Sequence, residues 1–310
     1  MKLGKFWIIL NPVARFGKAE KQYPKIERLL RKSGIDFEIL LTKAPCDAME
    51  IARNLPLAEN DVTIAAGGDG VCNEVANGLV TRENANKPAP PIFSIFPIGR
   101  VNDLAFAVGI PRNIEKALQV IIKGNVQPLD AGLVKGGRFP DGRYFFNSAG
   151  IGFDTKVQLE ANRLKIKNGI VYSLAALITT IRFEPSPVLR IRFNEKEMTL
   201  PAFLVSFMNA RRLGGAFLMG TNSLLDDGLL DLYIMRHQPS RLKLLNVVLS
   251  CARGVHGKCE GVYPDNKTTL VSVDALEGNM AVHCDGEIVC NDGKKLEVSC
   301  VPGALRIIRA

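Results

Sequence analysis

Short apolar runs of strand length alternate with helical patterns along the first third of the chain. Helices are predicted over residues 19–33, where Tyr23, Ile26 and Leu30 share one face before Gly34, over 49–54, and from Val71 onward. The predicted strands are residues 6–10, 37–41, 62–66 and 92–96. This alternation is typical of a largely parallel sheet covered by helices, in which ligands bind at the carboxyl ends of the strands.

From about residue 126 the pattern changes to short strands separated by turns. The predicted strands are 129–134, 143–147, 188–193, 203–208, 229–235, 268–273 and 295–301. Turns are predicted at the Asp-Gly pairs of Asp141, Asp227, Asp285 and Asp292, and helical inserts over 155–182 and 240–253. We therefore predict an antiparallel sandwich or barrel after an α/β domain, with the boundary near residue 130.

Charge and composition narrow the class of partner. A net charge of +9 predicts an anionic partner, and 47% hydrophobic residues in 310 are enough for two cores. Residues 236–258 carry five Lys or Arg and no Asp or Glu, interleaved with leucines, and residues 155–196 carry eight basic residues against three Glu. Basic amphipathic segments suit an anionic membrane surface or are simply solvated helix faces, and no nucleic-acid motif accompanies them.

Other residue types exclude several kinds of site. Seven cysteines without a Cys-x-x-Cys pair indicate neither a zinc site nor a disulfide framework, which favours a reducing cytoplasm. The longest apolar stretch, 170–181, is shorter than the roughly 20 residues of a membrane-spanning helix. We expect a cytoplasmic protein that associates peripherally with the inner face of the membrane.

Two glycine-bearing loops carry the candidate chemistry of the first domain. Gly67-Gly68-Asp69-Gly70 follows a predicted strand and opens a helix, where backbone N–H groups attract phosphate and Asp69 could hold Mg²⁺ or orient a hydroxyl. The second loop follows the next strand and contains Gly99, Arg100, Asn102 and Asp103. Asn102 is as well suited to a helix cap as to a ligand.

Acidic clusters and a small-residue junction mark the second domain. Residues 148–154, Ser-Ala-Gly-Ile-Gly-Phe-Asp, predict a strand-to-helix junction, and residues 224–231 bring three carboxylates together, as an oxygen-bound cation or an ordinary hairpin would. Asp285 and Glu287 are two positions apart and would share one face of an extended segment. One of them could be the general base for phosphoryl transfer to an alcohol.

Taken in order, these motifs resemble the bacterial diacylglycerol kinase and sphingosine kinase-like lipid kinases over essentially the full chain, from about Lys5 to Arg309. The motifs are Asn11-Pro12, Gly-Gly-Asp-Gly, Pro-x-Gly-x-x-Asn-Asp, Ala-Gly-Ile-Gly-Phe-Asp, Asp-Asp-Gly-x-Leu-Asp and Asp-Gly-Glu. The resemblance implies an α/β nucleotide-binding domain over 1–130, like that of NAD kinase and phosphofructokinase. It also implies a β-sandwich lipid-substrate domain over 131–310, whose last strand is a candidate to return to the first domain.

The resemblance also implies roles for particular residues. Glu287 would be the proton acceptor, with Asp285 beside it and Asp69 orienting phosphates and Mg²⁺. A second, structural Mg²⁺ would be held by Asp227 and the backbone carbonyls of Leu224 and Leu229. The nucleotide would be bound by Asn11, Thr42, Gly67, Gly68, Asp69, Gly70, Val71, Cys72, Asn73, Gly99, Arg100, Asn102 and Asp103.

Three departures from the family pattern keep alternatives open. Val71 replaces a hydroxyl residue, Arg100 and Val101 replace Thr and a small residue, and Ala14-Arg15-Phe16 precedes Gly17-Lys18. Arg100 or Arg15 would compensate with bidentate phosphate contacts. We expect an ATP-dependent kinase of diacylglycerol or a related lipid alcohol. The alternatives are a catalytically silent lipid- or nucleotide-binding protein and a kinase of a soluble substrate, like NAD kinase. Oligomeric state, including a homodimer, is left open.

Overall fold

The computed structural model describes residues 2–14, 17, 19–82, 89–164, 170–182, 185–237 and 240–310, without the side chains of Ile170 and Asp265. Within this description the chain forms two compact units. The first comprises Met1–Leu129 together with Gly303–Ala310, and the second comprises Asp130–Pro302.

The first unit is a parallel sheet with helices in the connections. The strand order is β2-β1-β3-β4, and the end of the last strand, β15, adds beside β4 through Arg306 and Ile307. Every residue of β1, β3 and β4 is buried, which explains their unbroken apolar runs. The elements are β1 (Phe6–Leu10), α1 (Tyr23–Lys32), β2 (Phe37–Leu41), α2 (Asp47–Asn54), β3 (Val62–Gly67), α3 (Asp69–Val80), β4 (Ile92–Pro97), α4 (Asp103–Ala107) and α5 (Ile114–Lys123).

The second unit is built from antiparallel strands with three helices. The strands follow the order β14-β13-β7-β9-β8-β12-β15, while β10 pairs with β9 and β11, and β5 pairs with β6. The elements are β5 (Val126–Gly136), β6 (Phe139–Phe145), β7 (Ser148–Gly152), α6 (Phe153–Arg163), α7 (Ile170–Arg182), β8 (Val188–Phe193), β9 (Lys196–Met208), β10 (Leu230–Arg236), α8 (Arg241–Arg253), β11 (Val262–Thr268), β12 (Leu270–Glu277), β13 (Met280–Cys284), β14 (Glu287–Gly293) and β15 (Lys295–Ile308).

The long strand β9 explains how these strands enclose a core. Its first half pairs with β8 and its second half pairs with β7 and β10, so one strand takes part in two sheets. Alternate residues of β8 are buried, and Leu189, Ile191 and Phe193 pack in one cluster with Val205 and Phe207 of β9. The predicted α/β plus antiparallel β-sandwich fold with helical inserts is confirmed.

Several predicted elements were wrong in detail. Asp141 and Asp292 lie inside β6 and β14 rather than in turns, and the predicted strand 268–273 spans the junction of β11 and β12. The predicted insert 155–182 forms two helices, α6 and α7, with residues 165–169 outside the described part of the chain. Strands β13 and β14 and helix α5 were not predicted, whereas α4 is the helix that the second loop was predicted to open, and β7 followed by α6 is the predicted strand-to-helix junction.

Candidate active site

Three predicted nucleotide-binding positions lie at the carboxyl ends of adjacent parallel strands of the first unit. Asn11 follows β1, Thr42 follows β2, and Gly67 ends β3 opposite Pro97, which ends β4. The backbone N–H groups of Asn11 and Thr42 donate to Ala66 and Leu10 across the sheet. These positions therefore share one edge of the sheet, where parallel α/β sheets bind ligands.

The two glycine-bearing loops pack directly on each other. The N–H groups of Ile98 and Gly99 both donate to the Gly67 carbonyl, at 3.0 and 2.8 Å. A Cβ on Gly99 would lie 2.2 Å from the Cα of Gly68, so only glycine allows this approach. The backbones of the two loops consequently form one continuous surface.

Asp69 fixes the second loop to the first. Its carboxylate accepts hydrogen bonds from the N–H groups of Asn102, at 2.8 Å, and Asp103, at 2.6 Å. Both bonds are charge-assisted and short, which makes them strong positioning contacts. The predicted phosphate-orienting carboxylate therefore acts on the loop backbone within the first unit.

The remaining residues of the second loop take different positions. Asn102 is buried, adopts a left-handed backbone (φ 57°) and donates to the Gly99 carbonyl at 3.1 Å, while its side chain accepts no N–H of helix α4. The cap role that the sequence allowed for Asn102 is therefore absent from its described contacts. The side chain of Arg100 is exposed, and Arg112, which the sequence did not single out, donates to the carbonyls of Arg100 and Val101.

At the start of helix α3, the side chains of the predicted nucleotide-binding residues Val71, Cys72 and Asn73 are buried, so the backbone is the part that a ligand could reach. Val71 and Cys72 are buried. A Cβ on Gly67 would lie only 2.8 Å from the Cβ of Val71. Asn73 is buried too, and its side chain accepts from Asn77 within the helix. Gly70 has open space around its Cα. Arg15, Phe16 and Lys18 of the first turn lie outside the described residues.

Asp285 occupies the turn of the β13–β14 hairpin. Its backbone is left-handed (φ 43°), and its carboxylate accepts from the N–H groups of Phe146, Asn147 and Ser148 at 2.8, 3.0 and 3.0 Å. The expectation that Asp285 and Glu287 share one face of an extended segment was wrong, because the chain reverses at Asp285. Asp285 instead joins the hairpin to the start of β7.

Glu287 is the first residue of β14 and forms an ion pair with Arg143 of β6. The Arg143 Nε donates to Glu287 Oε2 at 2.9 Å, and the Arg143 side chain is 9% exposed against 38% for Glu287. No other hydrogen bond or ion pair reaches the Glu287 carboxylate from the residues that the structure describes. A fixed carboxylate with one occupied oxygen and a solvent-facing side is suited to accept a proton from an alcohol.

The neighbouring Cys284 thiol is excluded as a nucleophile at neutral pH. Burial raises its pKa well above the usual range, and the negative charges of Asp285 and Glu287 raise it further. The thiol is therefore protonated, and the thiolate would be the reactive form.

A buried Asp–His pair connects two of the sequence motifs. Asp154 Oδ2 lies 3.2 Å from His283 Nε2, and both side chains are almost fully buried. A Cβ on Gly150 would lie 1.6 Å from the Asp154 carboxylate, so only glycine fits at position 150. Thr155 Oγ1 lies within hydrogen-bonding distance of the carbonyls of both Gly150 and Ala281, so this cluster holds β13, and with it the Asp285 turn, against β7.

The residues predicted to hold a structural Mg²⁺ do not fit that ion. Asp227 accepts from the N–H of Leu229 at 3.1 Å with one oxygen and forms an ion pair with the Lys267 ammonium through the other. An ammonium on the carboxylate repels a divalent cation. Across the residues that the structure describes, no group of three or more His, Cys, Asp or Glu side chains could hold a metal. Leu224 lies in the same loop, and Asp231 is buried in β10.

The two units match two family models. Residues 5–134 match the diacylglycerol kinase catalytic domain, and residues 147–309 match the YegS C-terminal NAD kinase beta sandwich-like domain.

Among the helices of the described residues, none combines the length and the apolar character that a membrane-spanning helix requires.

Whole-chain relatives agree with these matches. The chain is 31% identical over 285 residues to the diacylglycerol kinase of Bacillus subtilis, covering 90% of this chain and 88% of that one. It is 30% identical over 281 residues to a "probable lipid kinase YegS-like" protein of Pseudomonas aeruginosa, covering 89% and 86%.

Solved structures support the same fold. A crystal structure of a diacylglycerol kinase from Bacillus anthracis superimposes with a TM-score of 0.73 at 23% identity, covering 100% of this chain and 98% of that one. An NAD kinase from Archaeoglobus fulgidus in complex with ATP superimposes with a TM-score of 0.52 at 14% identity, covering 98% and 93%. Taken with the family models and the relatives, this places the chain in the family of diacylglycerol kinases and YegS-like lipid kinases.

Proposed function

We propose that this chain is an ATP-dependent lipid kinase that transfers the γ-phosphate of ATP to the hydroxyl of diacylglycerol or a related lipid alcohol. The observation that carries the proposal is Glu287, a carboxylate held through one oxygen by the largely buried Arg143 and otherwise exposed. Family membership supports the reaction class, since the relatives carry the names diacylglycerol kinase and lipid kinase.

The nucleotide half of the proposal rests on the joined loops of the first unit. Backbone N–H groups at the start of α3 attract the negative charge of a triphosphate, and the glycines of the two loops let it approach closely. Asp69 keeps the two loops in register through Asn102 and Asp103. ATP would enter as its Mg²⁺ complex, so the metal arrives as part of the substrate.

The acceptor half rests on Glu287 and its supports. Glu287 takes the proton of the lipid hydroxyl while the hydroxyl oxygen attacks the γ-phosphorus in line. The bond from that phosphorus to the bridging oxygen breaks, and ADP leaves with the bonding electron pair. Arg143 orients the base, and Asp285 and the Asp154–His283 pair position the hairpin that carries it.

An open cavity of about 650 Å³ in the second unit suits an amphiphilic acceptor. Its walls include the apolar side chains of Phe153, Leu159 and Phe203 and the cations Lys156 and Arg163. Such a mixed lining accommodates acyl chain and polar head group together.

Phosphate transfer from labelled ATP to a lipid panel in mixed micelles tests the assignment. Glu287→Gln keeps an acceptor for Arg143 but loses the base, and we expect turnover to fall by about 10²–10⁴-fold with folding intact. The matched control is Glu197→Gln, because Glu197 also pairs with an arginine, Arg192, at 2.8 Å in the same unit. We expect this control to retain full activity.

Three outcomes would redirect the proposal. Undiminished turnover by Glu287→Gln would show that another group is the base. Nucleotide binding by the unmodified protein without transfer to any lipid would identify the catalytically silent alternative, which the buried Val71 favours because it offers no hydroxyl to phosphate. Transfer to NAD but to no lipid would identify a kinase of a soluble substrate.

A further inference from the structure

Helix α7 carries apolar side chains on the face opposite its core contacts. It buries Val171, Ala175 and Ala176, yet Leu177 and Ile181, one turn apart, are exposed. A surface helix normally places polar residues on that face. An exposed apolar stripe therefore runs along α7.

Helix α8 has the same property more strongly. Leu244 and Val247 are among its buried residues, whereas Leu242 is 80% exposed and Leu249, two turns further on, is 50% exposed. Val255, just after the helix ends at Gly254, is exposed as well. The solvent side of α8 is consequently lined with large aliphatic groups.

The two stripes form one surface. The buried faces of both helices lie in a single cluster with Tyr233 and Met235 of β10, so their opposite faces point to the same side of the unit. We name this surface the α7–α8 face, defined by the five exposed apolar residues Leu177, Ile181, Leu242, Leu249 and Val255. Residues 170–182 and 241–255 are less than a tenth of the chain but hold five of the thirteen exposed large apolar side chains among the residues that the structure describes. Such concentration marks an interaction surface rather than ordinary scatter.

In the part of the chain that the structure describes, the charges on and beside helices α7 and α8 are mostly positive. Neither helix contains an Asp or Glu. The acidic group that reaches α8 is Glu260, whose carboxylate lies 3.2 Å from the Lys243 ammonium, with both side chains well exposed. The exposed cations on and beside the two helices are Arg182, Arg241, Lys243, Arg253 and Lys258.

We propose that the α7–α8 face docks the protein on an anionic lipid bilayer, with the aliphatic side chains inserted at the head-group level and the cations on lipid phosphates. Apolar stripes flanked by Lys and Arg are the features that bind interfacial helices to acidic membranes. The inference rests on the proposed lipid kinase function and names the surface through which that enzyme meets its substrate.

The position of Arg182 connects this face to the acceptor cavity. Arg182 is the last residue of α7, next to the exposed Ile181, and it also lines the cavity of about 650 Å³. The buried Glu160 carboxylate pairs with Arg182 at 2.5 Å and so fixes it there. Docking through α7 places the cavity wall against the bilayer surface, where a lipid can enter without crossing water.

Vesicle sedimentation with matched variants tests the proposal. The docking variant is Leu242→Ser with Leu249→Ser, at two exposed positions whose replacement leaves the core intact. Its control is Ile122→Ser on α5, an exposed apolar residue beside the exposed Lys123 in the first unit. Vesicles contain either phosphatidylcholine alone or equal parts of phosphatidylcholine and phosphatidylglycerol.

We expect the unmodified protein and the Ile122→Ser control to sediment with the anionic vesicles, and the docking variant to bind them at least about tenfold more weakly, a change of about 1.4 kcal/mol. On a short-chain diacylglycerol dissolved as monomers, the docking variant should equal the parent. Equal vesicle binding by the docking variant and the parent would overturn the proposal. So would a change of oligomeric state in the docking variant, which would assign the face to a second copy of the chain. Vesicle binding by a protein that phosphorylates no lipid would refute the kinase function and leave the docking face standing.

Discussion

Gly99→Ala should separate the two loops of the candidate nucleotide site. The new Cβ would lie 2.2 Å from the Cα of Gly68, 3.0 Å from its nitrogen and 2.6 Å from the Asn102 carboxamide oxygen. Carbon atoms that are not bonded to each other rest about 3.5–4.0 Å apart, so the loops must move by more than about 1 Å. Gly68 meets the new group with backbone atoms, which cannot rotate away as a side chain could.

The expected cost follows from the contacts that this movement stretches. The 2.8 Å bond from Gly99 N–H to Gly67 and the 3.0 Å bond from Ile98 N–H would exceed hydrogen-bonding distance. Two such bonds contribute about 0.5–1.5 kcal/mol each, and overpacking costs about 1–3 kcal/mol. We therefore expect Gly99→Ala to lower the free energy of unfolding by about 2–6 kcal/mol.

The measurement is thermal unfolding by circular dichroism, with hydrogen exchange of the second loop as a local readout. Each kcal/mol corresponds to roughly 2–4 °C in melting temperature for a protein of this size class. Gly70→Ala is the matched control, because nothing lies within 4 Å of the added Cβ and alanine favours the helix that begins there. Equal melting temperatures for the two variants would refute the tight packing of Gly68 on Gly99.

Two further predictions concern metal and thiols. Chelation of divalent cations should leave the melting temperature unchanged, because Lys267 already neutralises Asp227. Lys267→Met should lower the melting temperature, and added Mg²⁺ should raise the melting temperature of this variant again. A parent protein whose melting temperature falls on chelation would contradict the ion-pair assignment. Burial raises the pKa of the Cys251 thiol to about 12, so a thiol reagent at neutral pH should modify the exposed Cys46 and spare Cys251 until the protein unfolds. Because this pKa is higher in the folded state, the associated stability is complete below about pH 8.5, the unfolded value, and is lost as pH rises toward 12; urea midpoints that stay constant over this range would contradict it.

The sequence predicted best those features that depend on local patterns. Strands β1, β3 and β4 are unbroken apolar runs because both faces are buried, and the Gly67 and Gly99 loops follow them directly. Glycine at a strand end signals a close backbone approach whatever the rest of the fold does. The loops of the first unit could therefore be located without coordinates.

The second unit was harder because its site depends on distant pairs. Arg143 and Glu287 are separated by 144 positions, and no local period connects β6 to β14. The relation between Asp285 and Glu287 was misjudged although the Asp-Gly turn at Asp285 was predicted correctly, because a chain that reverses at Asp285 is not extended from Asp285 to Glu287. Asp154 and His283 belonged to separate motifs whose contact only the pairing of β7 with β13 reveals.

Strand β15 has a consequence for biosynthesis. Its last residues pair with β4 of the first unit, and the N–H groups of Arg309 and Ala310 donate to the carbonyls of Asn125 and Val108. These residues leave the ribosome after all of Asp130–Pro302. Until then, the edge of β4 that later pairs with β15 has no strand beside it. The later-made half of the polypeptide can thus complete its hydrogen bonding before the earlier-made half, reversing the usual order of maturation along a nascent chain.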